Sequence, residues 1–222
     1  IDTNRKKVHE ATDGRVGYIY VRNTGIEGQT DLISQFFAEM HREALIIDER
    51  WNGGGQIPTR FIELLNRQPV SWWARRHGDD WRSPSDGHFG PNCMLINGLA
   101  GSGGDMFPWL FRRADLGPLI GTRTWGGLAG ITGGPALLDG AAVAVPTFGI
   151  YEADGTWAVE GHGVAPDIEV IDDPVALWNG QDLQLEAGIN AMMEALRNNP
   201  PRNPPRPIAP DRSGSGAAPE DQ

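Results

Sequence analysis

CMLINGLAGSGGDMFPWLFRR, Cys93 to Arg113, holds in 21 residues a strand, a turn and a helix. "CMLIN" is a short apolar run of the kind buried on both faces of a sheet. "GLAGSGG" is a turn of small residues, and from Gly103 the apolar Met106, Phe107, Leu110 and Phe111 recur at helical spacing to about Arg113. Pro108 suits that helix only inside its first turn or at a kink. Ser102 therefore stands where a buried strand hands over to a helix N-terminus.

The same strand-to-helix grammar extends upstream. "GRVGYIYVRN" reads as a strand, and "TDLISQFFAEMHRE" as a helix with Leu32, Ile33, Phe36, Phe37 and Met40 on its core stripe and Thr30 as N-cap. "ALIID" from Ala44 is a second doubly buried strand that opens into "ERWNGGG". The helix "IPTRFIELLNRQ" follows, with Ile57, Phe61, Leu64 and Leu65 on one side, then strand-like "VSWWA" and the polar loop "RRHGDDWRSPSDGHFGPN". Downstream, "GPLIGTRTWGG" reads as a strand and a glycine turn. "GPALLDG", "AAVAVPTFGIYEADG" and "TWAVE" read as hairpins turning at Asp139-Gly140 and Asp154-Gly155. A last helix, about Asp182 to Arg197, carries Leu185, Ile189, Met192, Met193 and Leu196. The expectation is an α/β fold: one domain over residues 1–198, an alternating strand–helix core with an antiparallel β extension, and a Pro-rich, disordered tail over 199–222.

Composition narrows the function classes. The 222 residues are 39% hydrophobic and 22% charged, with no apolar run long enough to span a bilayer. A formal net charge of −10 opposes binding to nucleic acid or anionic membrane, which requires clustered Lys and Arg. The one cysteine, Cys93, reads as a buried core thiol in a reducing compartment. "IDTNRKKVHEATDG" is not a targeting segment, and without an initiator Met the chain reads as a piece of something longer. No H-E-x-x-H or C-x-x-C motif suggests a metal. Neither glycine cluster has the Lys-Ser/Thr or G-x-G-x-x-G context of a nucleotide loop, so no cofactor is expected.

Ser102 can be a nucleophile at a helix N-terminus, with the Gly103 N–H stabilising an oxyanion, or a small residue in a tight corner. Ala100 at the second place before it departs from the G-x-S-x-G elbow, so the pattern alone leaves both readings open. "RWNGGG" is likewise either a ligand-approaching loop or a flexible turn. Of the possible bases, His9, His41, His77 and His88 read as solvated, while His162 in "VEGHGVAPD" has a motif-like setting. Glu160 in that stretch can orient a base, hold substrate or stay solvated.

Taken in order, "GRVGYIYV", "LIIDERWNGGG", "GSGGDMFPWLFRRADLGPLIGTRTWGGLAGI" and "VEGHGVAPDIEV" resemble the C-terminal catalytic domain of tricorn-type peptidases, within the tail-specific and C-terminal processing serine proteases. The resemblance runs to about Asn198. It implies a ClpP/crotonase-like fold, Ser102 as nucleophile, the amides of Gly103 and Gly55 as oxyanion hole, and Glu160 as the tetrad glutamate. It also implies that the base histidine and a second serine lie upstream, before a PDZ-like domain. None of the five histidines here matches that base, so the chain alone is expected to be weakly active or inactive. Gly103 stands where members can carry an acidic residue, and Trp73 near where another would select basic side chains. Trp72 or Trp73 is then expected to favour apolar ones. Gly54, Trp73 and Thr124 are expected substrate contacts. Further expectations are oligopeptide substrates, homo-oligomers and a cytoplasmic location. The rival readings are a non-catalytic peptide-binding or scaffold module and a nucleotide-binding domain.

Overall fold

A computed structural model of the chain describes residues 1–56 and 58–209. Ile57, expected on a helix's apolar side, and the tail from residue 210 lie outside the described residues. Five strands form a parallel sheet in the order β1 (Val16–Tyr20), β2 (Ala44–Asp48), β5 (Asn92–Ile96), β6 (Leu119–Gly121), β9 (Ile168–Glu169). Between them in sequence come the short β3 (Ser71–Trp73) and β4 (Trp81–Ser83), paired antiparallel as a separate hairpin. The registers Tyr18↔Ile46, Ile46↔Cys93 and Met94↔Leu119 place the "ALIID" and "CMLIN" runs at the centre. Every residue of β2 and β5 is buried, because helices cover both faces, and this is why Ala44–Ile47 and Cys93–Ile96 are continuously apolar.

On one face α1 (Asp2–Ala11) and α6 (Leu183–Asn198) bring Val8, Leu185, Met192 and Leu196 onto Tyr18, Ile46, Cys93 and Leu95. On the other, α2 (Ile26–Glu39), α3 (Pro58–Leu65) and α4 (Gly103–Arg113) pack Phe36, Phe61, Phe107 and Phe111 onto Ile47, Met94 and Ile96. Each such side chain contributes about 1.5–3 kcal/mol by leaving water. Helix α1 escapes a pattern search because its one buried residue is Val8.

Several local expectations are corrected. Helix α2 begins at Ile26, not after a Thr30 cap: the Asn23 side chain accepts from the amides of Gly25 and Gly28, both at 3.0 Å, and starts the helix five residues earlier. Ile33 and Phe37 are exposed, since Leu32 and Phe36 alone fill the sheet side. Pro108 is the sixth residue of α4, beyond the first turn, where it removes the bond to the Gly104 carbonyl. The antiparallel extension pairs β7 (Gly130–Gly133) with β8 (Ala144–Phe148), so "GPALLDG" is the connection and not a strand. Residues 199–209 carry no regular secondary structure and run beside the β3–β4 hairpin, where Trp72 Nε1 donates to Asn203 at 3.1 Å and Arg206 pairs with Asp80. Among the described residues no helix is long and apolar enough to cross a membrane.

Candidate active site

The loops that leave the carboxyl ends of the adjacent central strands β2 and β5 meet one another, the usual place for a site in an open parallel sheet. Behind them lies a buried ion cluster. Arg50, fully buried, donates through Nε and Nη2 to Asp48 (2.9 and 2.7 Å) and through Nη1 and Nη2 to Asp182 (both 2.8 Å). Tyr18 also donates to Asp48 at 2.7 Å. Burial alone would raise the Asp182 carboxyl, but the hydrogen bonds and charge of Arg50 outweigh it and hold it below its ordinary value.

Past this anchor the triple glycine lies against the serine turn. Asn52, fully buried, accepts from Gly54 N at 2.9 Å through its side chain and from Gly101 N at 3.1 Å through its carbonyl. Gly54 (φ +94°) and Gly55 (φ +146°) occupy backbone conformations that other residues rarely adopt. The approach is close as well. A Cβ on Gly54 would stand 2.8 Å from Ser102 Cβ, and one on Gly103 would stand 2.0 Å from Thr24 Oγ1 and 2.8 Å from Gly55 N. Among the described residues, neither the Gly55 N–H nor the Gly103 N–H has an intramolecular hydrogen-bond partner.

Ser102 itself has φ +57°, a strained value for a residue with a Cβ, of the kind that persists only where the surroundings impose it. They do so through Asp105. This fully buried carboxylate accepts from Ser102 N (2.8 Å), Gly127 N (3.0 Å) and Gly126 N (2.7 Å), and Ser102 N also donates to the Gly127 carbonyl at 3.0 Å. Asp105 thus ties the serine turn to the loop after β6. Its role was not read from sequence, although an acid three residues after a candidate N-cap is a recognisable signal.

Glu160 joins the same assembly from the other side. Its carboxylate accepts from Leu128 N at 2.6 Å and Ala129 N at 2.5 Å, directly after the glycines that Asp105 holds. The loop of residues 126–129 therefore lies between Ser102 and Glu160. Ser102, Gly55, Gly103 and Glu160 are brought into one region, whereas three expected substrate contacts have other settings. Gly54 commits its N–H to Asn52 and its carbonyl accepts from Thr24 N at 2.9 Å. Thr124 is fully buried and its hydroxyl accepts from Val164 N at 2.8 Å, so it clasps two loops from beneath and offers no surface. Trp73 is exposed on the β3–β4 hairpin, with Trp81 of the same hairpin as its aromatic neighbour.

No histidine hydrogen-bonds Ser102 among the described residues. His162 reaches back to its own loop at the Glu160 carbonyl, and His9 pairs with the buried Glu39. His88, expected to be solvated, is 3% exposed, and burial drives it down to about 4, so it is neutral at pH 7. Glu49, at the root of the glycine loop, is fully buried with neither carboxyl oxygen hydrogen-bonded among the described residues. Burial pushes it well above the carboxylate range; Asn52 pulls it partly back, and the charges of Asp105 and Asp48 add to the rise.

The chain is 37% identical over 207 residues to the tricorn protease of Thermoplasma acidophilum, which accounts for 93% of this chain and 19% of that protein. It is also 37% identical to a putative tricorn-like protease C-terminal subunit of Sulfurisphaera tokodaii, over 88% of this chain and 23% of the other. The crystal structure of the tricorn protease superposes with a TM-score of 0.83 at 37% identity, over 89% of this chain and 19% of that one. The photosystem II D1 C-terminal processing protease shares the fold at a TM-score of 0.53 and 22% identity, over 80% of this chain and 46% of that one. The chain thus spans about a fifth of the length of these tricorn relatives. The model of peptidase family S41 matches residues 15–170, and with these relatives it shows that the chain belongs to that family.

Proposed function

We propose that this chain is the nucleophile-bearing part of a serine peptidase that cleaves oligopeptides by acyl transfer. The observation that carries the reading is the Ser102 turn. A serine in a strained conformation is pinned by a buried carboxylate beside two free, closely packed amides. Ser102 Oγ attacks the peptide carbonyl carbon and its proton passes to a base. The carbonyl oxygen, now an oxyanion, is received by the N–H groups of Gly55 and Gly103. Collapse breaks the C–N bond and delivers the proton to the departing amine, and water then hydrolyses the acyl ester by the same route.

The base is a histidine from a segment outside this chain, oriented by the Glu160 oxygen that the loop amides do not occupy. Without it the chain retains binding and little turnover, since members of such a unit act together. The whole protein acts on short peptides in the cytoplasm as a homo-oligomer that includes upstream catalytic and PDZ-like domains. Membership of S41 and the tricorn names of the relatives support the peptidase part of this reading.

A fluorophosphonate probe tests it in the intact protein that carries this chain. Labelling at Ser102, lost in Ser102→Ala together with peptide hydrolysis, is the expected result. Hydrolysis that survives Ser102→Ala overturns the assignment, and a protein that binds peptides without labelling is the non-catalytic module instead.

A further inference from the structure

Trp125 has a placement that none of these roles uses. It follows β6 with 67% of its surface exposed, yet it is seated tightly. A Cβ on Gly101 would stand 2.6 Å from its Cε3, and a Cβ on Gly127 2.4 Å from its Cζ3. Gly101 is the residue before Ser102, and Gly127 supplies the carbonyl that accepts the Ser102 N–H. The Trp125 backbone N–H donates to the Ala100 carbonyl at 2.9 Å, which fixes the root of the side chain to the same turn. Two glycines flanking the serine in space thus make room for the Cε3–Cζ3 edge of the indole, and most of the side chain stays exposed.

The neighbours of Trp125 along its own segment and the serine turn are apolar or already committed. Leu99, on the same turn, is 71% exposed, its amide held by the buried Asn97 side chain at 3.2 Å. Arg123, the nearest cation in sequence, directs its guanidinium to the His162 carbonyl at 2.7 Å. The Asp105 carboxylate lies buried beneath and is taken up by amides. An indole face held rigid at low entropic cost recognises a flat or branched apolar side chain by burial and stacking.

We propose that the exposed indole of Trp125 is a specificity wall that receives an apolar or aromatic side chain of the bound peptide, from a residue flanking the bond presented to Ser102. The proposal rests on the peptidase reading for the identity of that bond, while the contact itself needs only a bound peptide. It moves apolar selection from the Trp72–Trp73 hairpin to the serine turn.

The test uses the intact protein in a Ser102→Ala background, so that binding is read without cleavage. Blocked peptides that vary at one position among Phe, Leu, Gly, Asp and Arg are titrated against the Trp125 parent, Trp125→Phe and Trp125→Ala. The Phe and Leu peptides should bind the parent best and lose about tenfold in Trp125→Ala, with Trp125→Phe within about threefold of the parent and the Gly peptide little changed. Equal affinities in the parent and Trp125→Ala overturn the proposal. So does an equal loss for every peptide, which marks the indole as a seat for another part of the protein, and so does a preference for the Arg peptide. Fluorophosphonate labelling of the Ser102 form is run in parallel: its absence defeats the nucleophile assignment and leaves the titrations to decide Trp125.

Discussion

Removing the Asp105 carboxylate isolates what holds the serine turn together. In Asp105→Ala the amides of Gly126 and Gly127 lose their acceptor, while Ser102 N keeps the Gly127 carbonyl. An orphaned buried donor costs about 1–3 kcal/mol. Gly127 is only half-buried and water recovers part of its share, so the loss should be about 2–4 kcal/mol. At 2–4 °C per kcal/mol for a domain of this size, a loss near 3 kcal/mol lowers Tm by about 6–12 °C. Asp105→Asn keeps one acceptor but turns an NH2 group toward a donor, and should fall about midway. Because Ser102 then relaxes from its strained φ, fluorophosphonate labelling at 25 °C should drop by about tenfold or more even where the protein stays folded. Thermal unfolding by circular dichroism and labelling rates measure the two effects. An Asp105→Ala variant within about 0.5 kcal/mol of wild type that labels at the wild-type rate would mean that Asp105 does not hold the serine turn.

Three further outcomes follow from the buried charges and the thiol. Arg50→Met leaves Asp48 and Asp182 without their cation and should cost about 3–5 kcal/mol in urea unfolding. Because Arg50 depresses the Asp182 carboxyl, its stabilisation is present above the unfolded value near 3.8 and fades as pH falls through the lower folded value; the variant should lack that acid-limb loss. Glu49 has the opposite sign. Its folded value is raised, so stability is whole below about pH 4.5 and declines as pH rises toward the folded value, and the advantage of Glu49→Gln in urea midpoints should grow across that window. Cys93 is fully buried and burial raises its thiol, so iodoacetamide should modify it at the rate of unfolding and not before.

Sequence reading succeeds here where one local signal has one structural cause. The first four residues of "ALIID" and of "CMLIN" are apolar because both faces of β2 and β5 are covered. It misleads where burial comes from distant segments. His88 sits in a string of polar residues, yet its ring is enclosed and its Nδ1 meets the Met40 carbonyl at 3.3 Å, a contact across 48 residues. Ile33 and Phe37 fall on an ideal helical stripe that is wider than the sheet can cover. Ser102 is visible as a serine at a strand-to-helix turn, but the grip of Asp105 on Gly126 and Gly127 joins segments 21 and 22 residues apart and leaves no trace beyond the acid three residues after the serine.

The ion cluster behind the glycine loop has a kinetic consequence. Asp182 caps α6, accepting from Leu185 N at 3.0 Å, and with the same carboxylate grips Arg50, five residues before Gly55. Fraying of α6 from its first turn therefore frees the strand end from which the Gly55 amide is suspended. In native-state hydrogen exchange the first turn of α6 and the β2 exit should open as one cooperative unit. A helix start 80 residues from Ser102 along the chain is thereby coupled to the glycine loop beside that serine.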